Sequence, residues 1–272
     1  MLLKKEKLFF LIALTSLLLW AVGCGKSPTG FLGGSILIAG STSVQPLSEE
    51  LAMEFMNKFP NVKINVVGGG SGAGIKAVQE GACDIGASSR ELKAEEKNVK
   101  EFVIAKDAIA VIVNPANPVS DLTLEQIKDV FSGKVINWKD LGGEDSPITV
   151  VIREEGSGTR EAFEEIVLGK GTKFTDQAII HNSTGAIRTA VAQTPNAIGF
   201  ISFGALNGEV KVLKIDGVEL TKENVLNGSY KLARPFIYLT KKEPEGLTKQ
   251  FIDFVLSSEG QKIIEKNFIP VR

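Results

Sequence analysis

From residue 35 to the C-terminus, short runs of apolar and β-branched residues alternate with segments whose apolar residues recur every three or four positions. That alternation is the strongest constraint on the chain, because strands and helices that take turns bury their apolar faces best as a layered α/β structure. Ser35–Ala39 reads as a buried strand, and Pro46–Phe59 as a helix with Leu47, Leu51, Phe55 and Phe59 on one face. Val62–Val67, Asp84–Ala87, Ile148–Ile152, Ala197–Ser202 and Pro235–Thr240 are further strands. Ala73–Glu80, Thr123–Phe131, Thr159–Leu168, Ala186–Gln193 and Leu247–Glu265 are further helices. Phe102–Val113 holds two β-rich runs, and Asn114-Pro115 with Asn117-Pro118 then breaks the pattern. The expected fold is α/β with a mostly parallel sheet in two lobes, residues 35–113 plus 203–272 and residues 114–202. The chain is expected to cross between them near Val113 and again after Ser202. A ligand is expected between the lobes, where loops that follow strands converge.

The first 23 residues belong to a different kind of segment. Lys4, Lys5 and Lys7 precede an apolar run from Leu8 to Gly23, shorter than the roughly 20 residues a membrane-spanning helix needs. A basic flank, a short apolar stretch and small residues before a cut mark an export signal. The run ends Ala21-Val22-Gly23-Cys24, which resembles a bacterial lipobox with Cys24 as the lipidated first residue of the mature chain. An uncleaved membrane anchor is the other reading. Residues 24–34, rich in Gly, Ser and Pro, read as a flexible tether.

Composition narrows the chemistry. The balance of 31 basic to 32 acidic residues shows no basic excess for a nucleic-acid partner. Removing residues 1–23 takes away three lysines and one glutamate and moves the net charge from −1 to −3. One histidine and two cysteines, Cys24 and Cys83, leave little material for a zinc site or a redox pair, so neither a metal nor a cofactor is expected.

Four loops carry the candidate site, each following a strand. They are Gly40–Val44 (GSTSV), Val67–Ile75 (VGGGSGAGI), Asp84–Arg90 (DIGASSR) and Arg153–Arg160 (REEGSGTR). Taken singly, each hydroxyl can be read as a helix cap, and each arginine as a solvated or ion-paired side chain. The glycines fit neither a dinucleotide fingerprint nor a P-loop. Taken together, the loops put hydroxyls, free amides and guanidiniums at helix starts and supply no clear general base. Such a set suits a desolvated tetrahedral oxyanion, each oxygen of which must meet donors.

These motifs, with N-A-I-G-F-I-S at Asn196–Ser202 and the lipobox, occur in an order that resembles the phosphate-binding lipoproteins of bacterial ABC phosphate importers. The resemblance runs from about residue 35 to the end. It implies a two-lobed, type II periplasmic-binding-protein-like fold with two crossovers, closing on phosphate in the inter-lobe cleft. It implies phosphate contacts at Thr42, Ser43, Ser71, Ser89, Arg153, Ser157, Gly158 and Thr159, with Glu155 orienting the arginine. It also implies ABC permease subunits as partners, a monomer, and a lipid anchor on the outer face of the cell membrane. One position departs from the pattern: many members have an Asp where this chain has Ser89, followed by Arg90. Acceptance of a phosphate proton then falls to a hydroxyl, to Asp84 or to a backbone carbonyl, and Arg90 becomes an extra donor candidate.

Other classes make different demands. A binder of sulfate or molybdate would use the same donors. A serine hydrolase would use Ser157 or Ser43 with His181 as base, although no G-x-S-x-G elbow is present. A structural or adhesive lipoprotein has no need of four converging donor loops.

Overall fold

The computed structural model describes residues 32–271. The export signal, Cys24 and most of the tether lie outside the described residues.

A ten-stranded mixed sheet organises the chain, beside a separate two-stranded one. Strand β1 (Gly34–Gly40) leads to helix α1 (Gln45–Lys58), β2 (Val62–Gly68), α2 (Ser71–Glu80) and β3 (Ile85–Ser88). Then come β4 (Lys100–Val113), β5 (Asp121–Leu122), α3 (Leu124–Phe131), β6 (Thr149–Arg153) and α4 (Gly158–Phe163). Next are β7 (Ile179–His181), α5 (Thr184–Gln193), β8 (Ala197–Ser202), β9 (Lys211–Val212), β10 (Lys214–Ile215) and α6 (Lys222–Leu226). The chain ends with β11 (Ala233–Thr240), α7 (Gly246–Leu256), α8 (Ser258–Asn267) and β12 (Ile269–Pro270).

The strand order β2-β1-β3-β11-β4-β8-β6-β7 is parallel at both ends and antiparallel in the middle. The mostly parallel sheet expected from alternation is corrected here. Strand β4 explains the difference: its 14 residues form one strand rather than two runs, and they serve both halves of the sheet. Residues 100–108 pair with β11, and Ile109–Val113 pair with β8. The sequence of β4 supports this, since Ala108–Val113 is unbroken apolar and fully buried, as a strand covered on both faces requires.

Packing follows the same division. In the half built on β8, Phe131, Phe163, Phe174 and Phe200 form an aromatic core, with Phe163 stacked on Phe200 at 4.0 Å between centroids. Leu213, Ile215, Val225, Tyr230 and Leu232 join that core, and the Tyr230 hydroxyl donates to Ile109 O at 2.8 Å. In the half built on β1, Phe55 packs against Phe251 and Phe254. Along β4 the pairing partner changes from β11 to β8 at Ala108/Ile109, and Ala108 and Ile269 join the same core as Ile109 and Phe200. Asn114-Pro115 ends β4 only after its last five residues have paired with β8.

Helices α2 and α5 start two residues earlier than the sequence reading, and two other runs divide. The run 247–265 is two helices, because Ser257 caps the second by accepting from Gly260 N at 3.3 Å. The run 159–168 starts as α4 and continues as a π-helical turn, Glu164–Leu168. Among the described residues no helix is long and apolar enough to cross a membrane.

Candidate functional site

Strands β1 and β3 end side by side, and their exits start the site. Gly40 has φ +143°, and a Cβ there would lie 2.2 Å from Ala87 O, so only glycine lets the two strands approach this closely. Ser41 N then donates to Ala87 O at 2.9 Å, which turns the first loop across the strand ends. Helix α1 has no side-chain cap at its start, so the hydroxyls of this loop are not spent on capping. Instead Ser41 Oγ donates to Ser89 Oγ at 2.9 Å and accepts from Ser43 N at 3.2 Å.

Thr42 and Ser43 face the other half. The Ser43 hydroxyl lies 2.8 Å from Thr159 Oγ1 and 2.9 Å from Thr184 Oγ1. Thr42 Oγ1 accepts from Thr184 N at 3.3 Å. The second loop enters α2 through Gly70, and Ser71 Oγ accepts from Ser89 N at 3.0 Å. The fourth loop brings Ser157, which caps α4 by accepting from Arg160 N at 3.3 Å, with Gly158 against Ser71 and Ser89. Its Gly156 O accepts from Gly72 N at 3.0 Å, so the second and fourth loops touch through backbone. The first turns of α2 and α5 add amides that have no partner within their helices, and the positive ends of two helix dipoles.

Two guanidiniums complete the arrangement. Arg153, 2% exposed, is held by Glu154 through Nε and Nη2 at 2.8 and 2.7 Å, which leaves Nη1 to donate to Thr184 Oγ1 at 3.2 Å. Arg234 of β11 is held by Asp107 of β4 through Nε and Nη2 at 3.0 and 2.9 Å, and its Nη1 reaches Ser89 Oγ at 3.5 Å. Ser202 Oγ donates to the other Asp107 oxygen at 2.9 Å. Burial pushes the Asp107 carboxyl above the ordinary carboxylate range, opposed by Arg234 and Ser202. Each arginine thus has a carboxylate on one edge and a free edge turned to the hydroxyls. That lets a buried cation stay neutralised while it offers donors inward.

Thr42, Ser43, Ser71, Ser89, Arg153, Ser157, Gly158 and Thr159 are brought together, and three other candidates are not. Arg90 points away from the hydroxyls, because its guanidinium is clamped by Glu96 at 2.7 and 2.8 Å. Glu155 does not orient Arg153; the adjacent Glu154 does, and Glu155 lines a surface groove beside Arg160. Asp84 is exposed and accepts from Leu37 N at 2.8 Å, at the start of β3, whereas the hydroxyls gather at its end. Ser43 and Ser157 pair with neighbouring hydroxyls and amides and not with His181.

Residues missed from the sequence are Ser41, Thr184, Asp107, Ser202 and Arg234. Thr184 was legible, since Ser183-Thr184-Gly185-Ala186 repeats the pattern of a capped helix start after a strand. Arg234 carried a weaker signal, the one charge of strand β11, and Asp107 a weaker one still, beside Lys106 at the edge of the apolar run of β4.

The family model of the PBP superfamily domain matches residues 26–259. The phosphate-binding protein PstS of Bacillus subtilis is 35% identical over 98% of this chain and 95% of its own length. The PstS of Borreliella burgdorferi is 31% identical over 85% and 88%. A Clostridium perfringens protein described as a phosphate ABC transporter substrate-binding protein, solved with bound phosphate, superposes with TM-score 0.85 at 50% identity. It covers 88% of this chain and all of its own. An ABC-type phosphate transport receptor of Vibrio cholerae superposes with TM-score 0.73 at 35% identity, covering 87% and 100%. The chain belongs to the PBP superfamily and, within it, to the phosphate-binding PstS proteins.

Proposed function

We propose that this chain is an extracytoplasmic receptor that captures inorganic phosphate and delivers it to an ABC importer. One observation carries the reading: five loops from both halves of the sheet aim hydroxyls and the free edges of Arg153 and Arg234 at one buried spot. These hydroxyls now bond to one another. An entering phosphate exchanges those bonds for its own, so few donors need to be newly ordered when it binds. Residues 33–108 with 233–271, and residues 109–232, act as the two lobes, and phosphate shifts the population toward the closed arrangement. The receptor performs no chemistry. Cys24 carries the lipid that tethers it to the outer face of the membrane, and Cys24→Ala is expected to release the protein from membrane fractions.

The test is titration calorimetry with phosphate, arsenate, sulfate and molybdate. Arg153→Ala is expected to weaken phosphate binding well over tenfold, since it removes a charge-assisted donor from a dry site. Unchanged affinity would take Arg153 out of the site. A receptor for another tetrahedral oxyanion is the second reading, and a specific observation favours it. Both Glu154 oxygens face Arg153 and both Asp107 oxygens already accept a donor, so the carboxylates nearest the hydroxyls are engaged with the protein's own groups. Sulfate binding as tight as phosphate binding would select that reading.

A further inference from the structure

The motif that the binding site leaves unused is Arg90. Its guanidinium is clamped by Glu96 within its own half, and on its other side Nε lies 3.1 Å from Glu161 Oε2. Lys93 Nζ approaches the same Glu161 oxygen at 2.6 Å. Glu161 belongs to α4 in the opposite half, so two cations of one half converge on one carboxylate of the other. Side-chain exposure is 6% for Arg90 and 19% for Glu161, low enough that solvent screens the contact only in part.

Chain position ties this contact to the site. Arg90 directly follows Ser89, and Glu161 lies two residues after Thr159. Any movement that separates Ser43 from Thr159 also separates Arg90 and Lys93 from Glu161. The Arg90–Glu96 pair is complete within its own half and survives such a separation. Glu96 also accepts from Lys93 N at 2.9 Å, which fixes the segment that carries both cations. Glu161 and Lys93 lose their ion pair, and both do so at an edge where water can replace the partner. The contact can therefore break without leaving a buried charge unpaired.

We propose that Arg90, Lys93 and Glu161 form a latch that holds the closed arrangement and sets how fast bound phosphate leaves. The latch touches no part of the ligand, so Glu161 and Lys93 are positioning residues, and their role rests on the phosphate-receptor reading. Charge removal at the latch acts on release more than on capture, because the contact forms only after the halves meet.

The test uses the full chain with Glu161→Gln, Lys93→Gln and the double variant, at side chains 19% and 53% exposed for Glu161 and Lys93. Stopped-flow measurement of phosphate dissociation is expected to show a three- to tenfold faster release in Glu161→Gln, with the association rate within twofold. Lys93→Gln is expected to add little once Glu161 is already Gln, and raising salt is expected to speed release in the wild type but not in Glu161→Gln. An unchanged dissociation rate, or a loss confined to association, overturns the latch. Should the wild type fail to bind phosphate, the receptor reading falls, and the latch is judged by hydrogen exchange of the ligand-free protein. Faster exchange of residues 156–163 and 89–97 in Glu161→Gln supports it, and unchanged exchange overturns it.

Discussion

Gly158 offers a sharp test of how the site is packed. It is the first residue of α4, and a Cβ built on it would lie 2.2 Å from Ser71 Oγ, 2.7 Å from Ser89 Oγ and 2.9 Å from Ser71 Cβ. A methyl group needs more than 3 Å from each, so in Gly158→Ala the two halves must stand off by about 1 Å or the serines must leave their places. Overpacking of this kind costs about 1–3 kcal/mol, which lowers phosphate affinity roughly five- to 150-fold at 1.4 kcal/mol per tenfold. The cost falls on closure and not on folding of α4, because alanine is the better helix former by up to about 1 kcal/mol. Calorimetry with phosphate, paired with thermal unfolding without it, separates the two. The expected result is weakened binding with an unfolding midpoint within about 3 °C of the wild type. Affinity within twofold of the wild type would refute the close approach of Gly158 to Ser71 and Ser89.

Two further outcomes concern the ion pairs. Arg234→Met leaves the fully buried Asp107 without its fork, a loss of about 3–5 kcal/mol that thermal unfolding would read as a drop of roughly 6–20 °C; adding Asp107→Asn is expected to recover part of it, and identical midpoints for the single and double variants would disprove the pairing. Arg90's hydrogen bonds hold the Glu96 carboxyl below its ordinary value of 4.5, so the stability it adds is present above that pH and is lost as pH falls through the lowered value. Urea unfolding between pH 6 and 3 is expected to show a shallower loss for Glu96→Gln, and a slope equal to the wild type would count against the assignment.

The site was largely legible because its grammar is local. A hydroxyl residue at a helix start after a strand shows in a few consecutive residues, and Ser71, Ser157 and Thr159 were found in that way. Thr184 obeys the same grammar, in a segment that reads from sequence as an ordinary capped helix entrance. Arg90 and Glu155 were misplaced for the opposite reason. A charged side chain reaches several ångströms, and its partner is chosen by what stands nearby in space: Glu96 for Arg90, and Glu154 rather than Glu155 for Arg153. Asp107 and Arg234 are 127 residues apart, and no spacing in the chain couples them.

By itself, the sequence determined the alternation of strands and helices, the loops that carry the donors, and the scarcity of histidine and cysteine. Those properties depend on local periodicity and residue type. Only the tertiary structure decided that β4 runs through both halves, changing its partner from β11 to β8 at Ala108/Ile109. It also decided which carboxylate neutralises each buried arginine. These are long-range pairings, fixed by strand order and by the high cost of burying a charge without a partner.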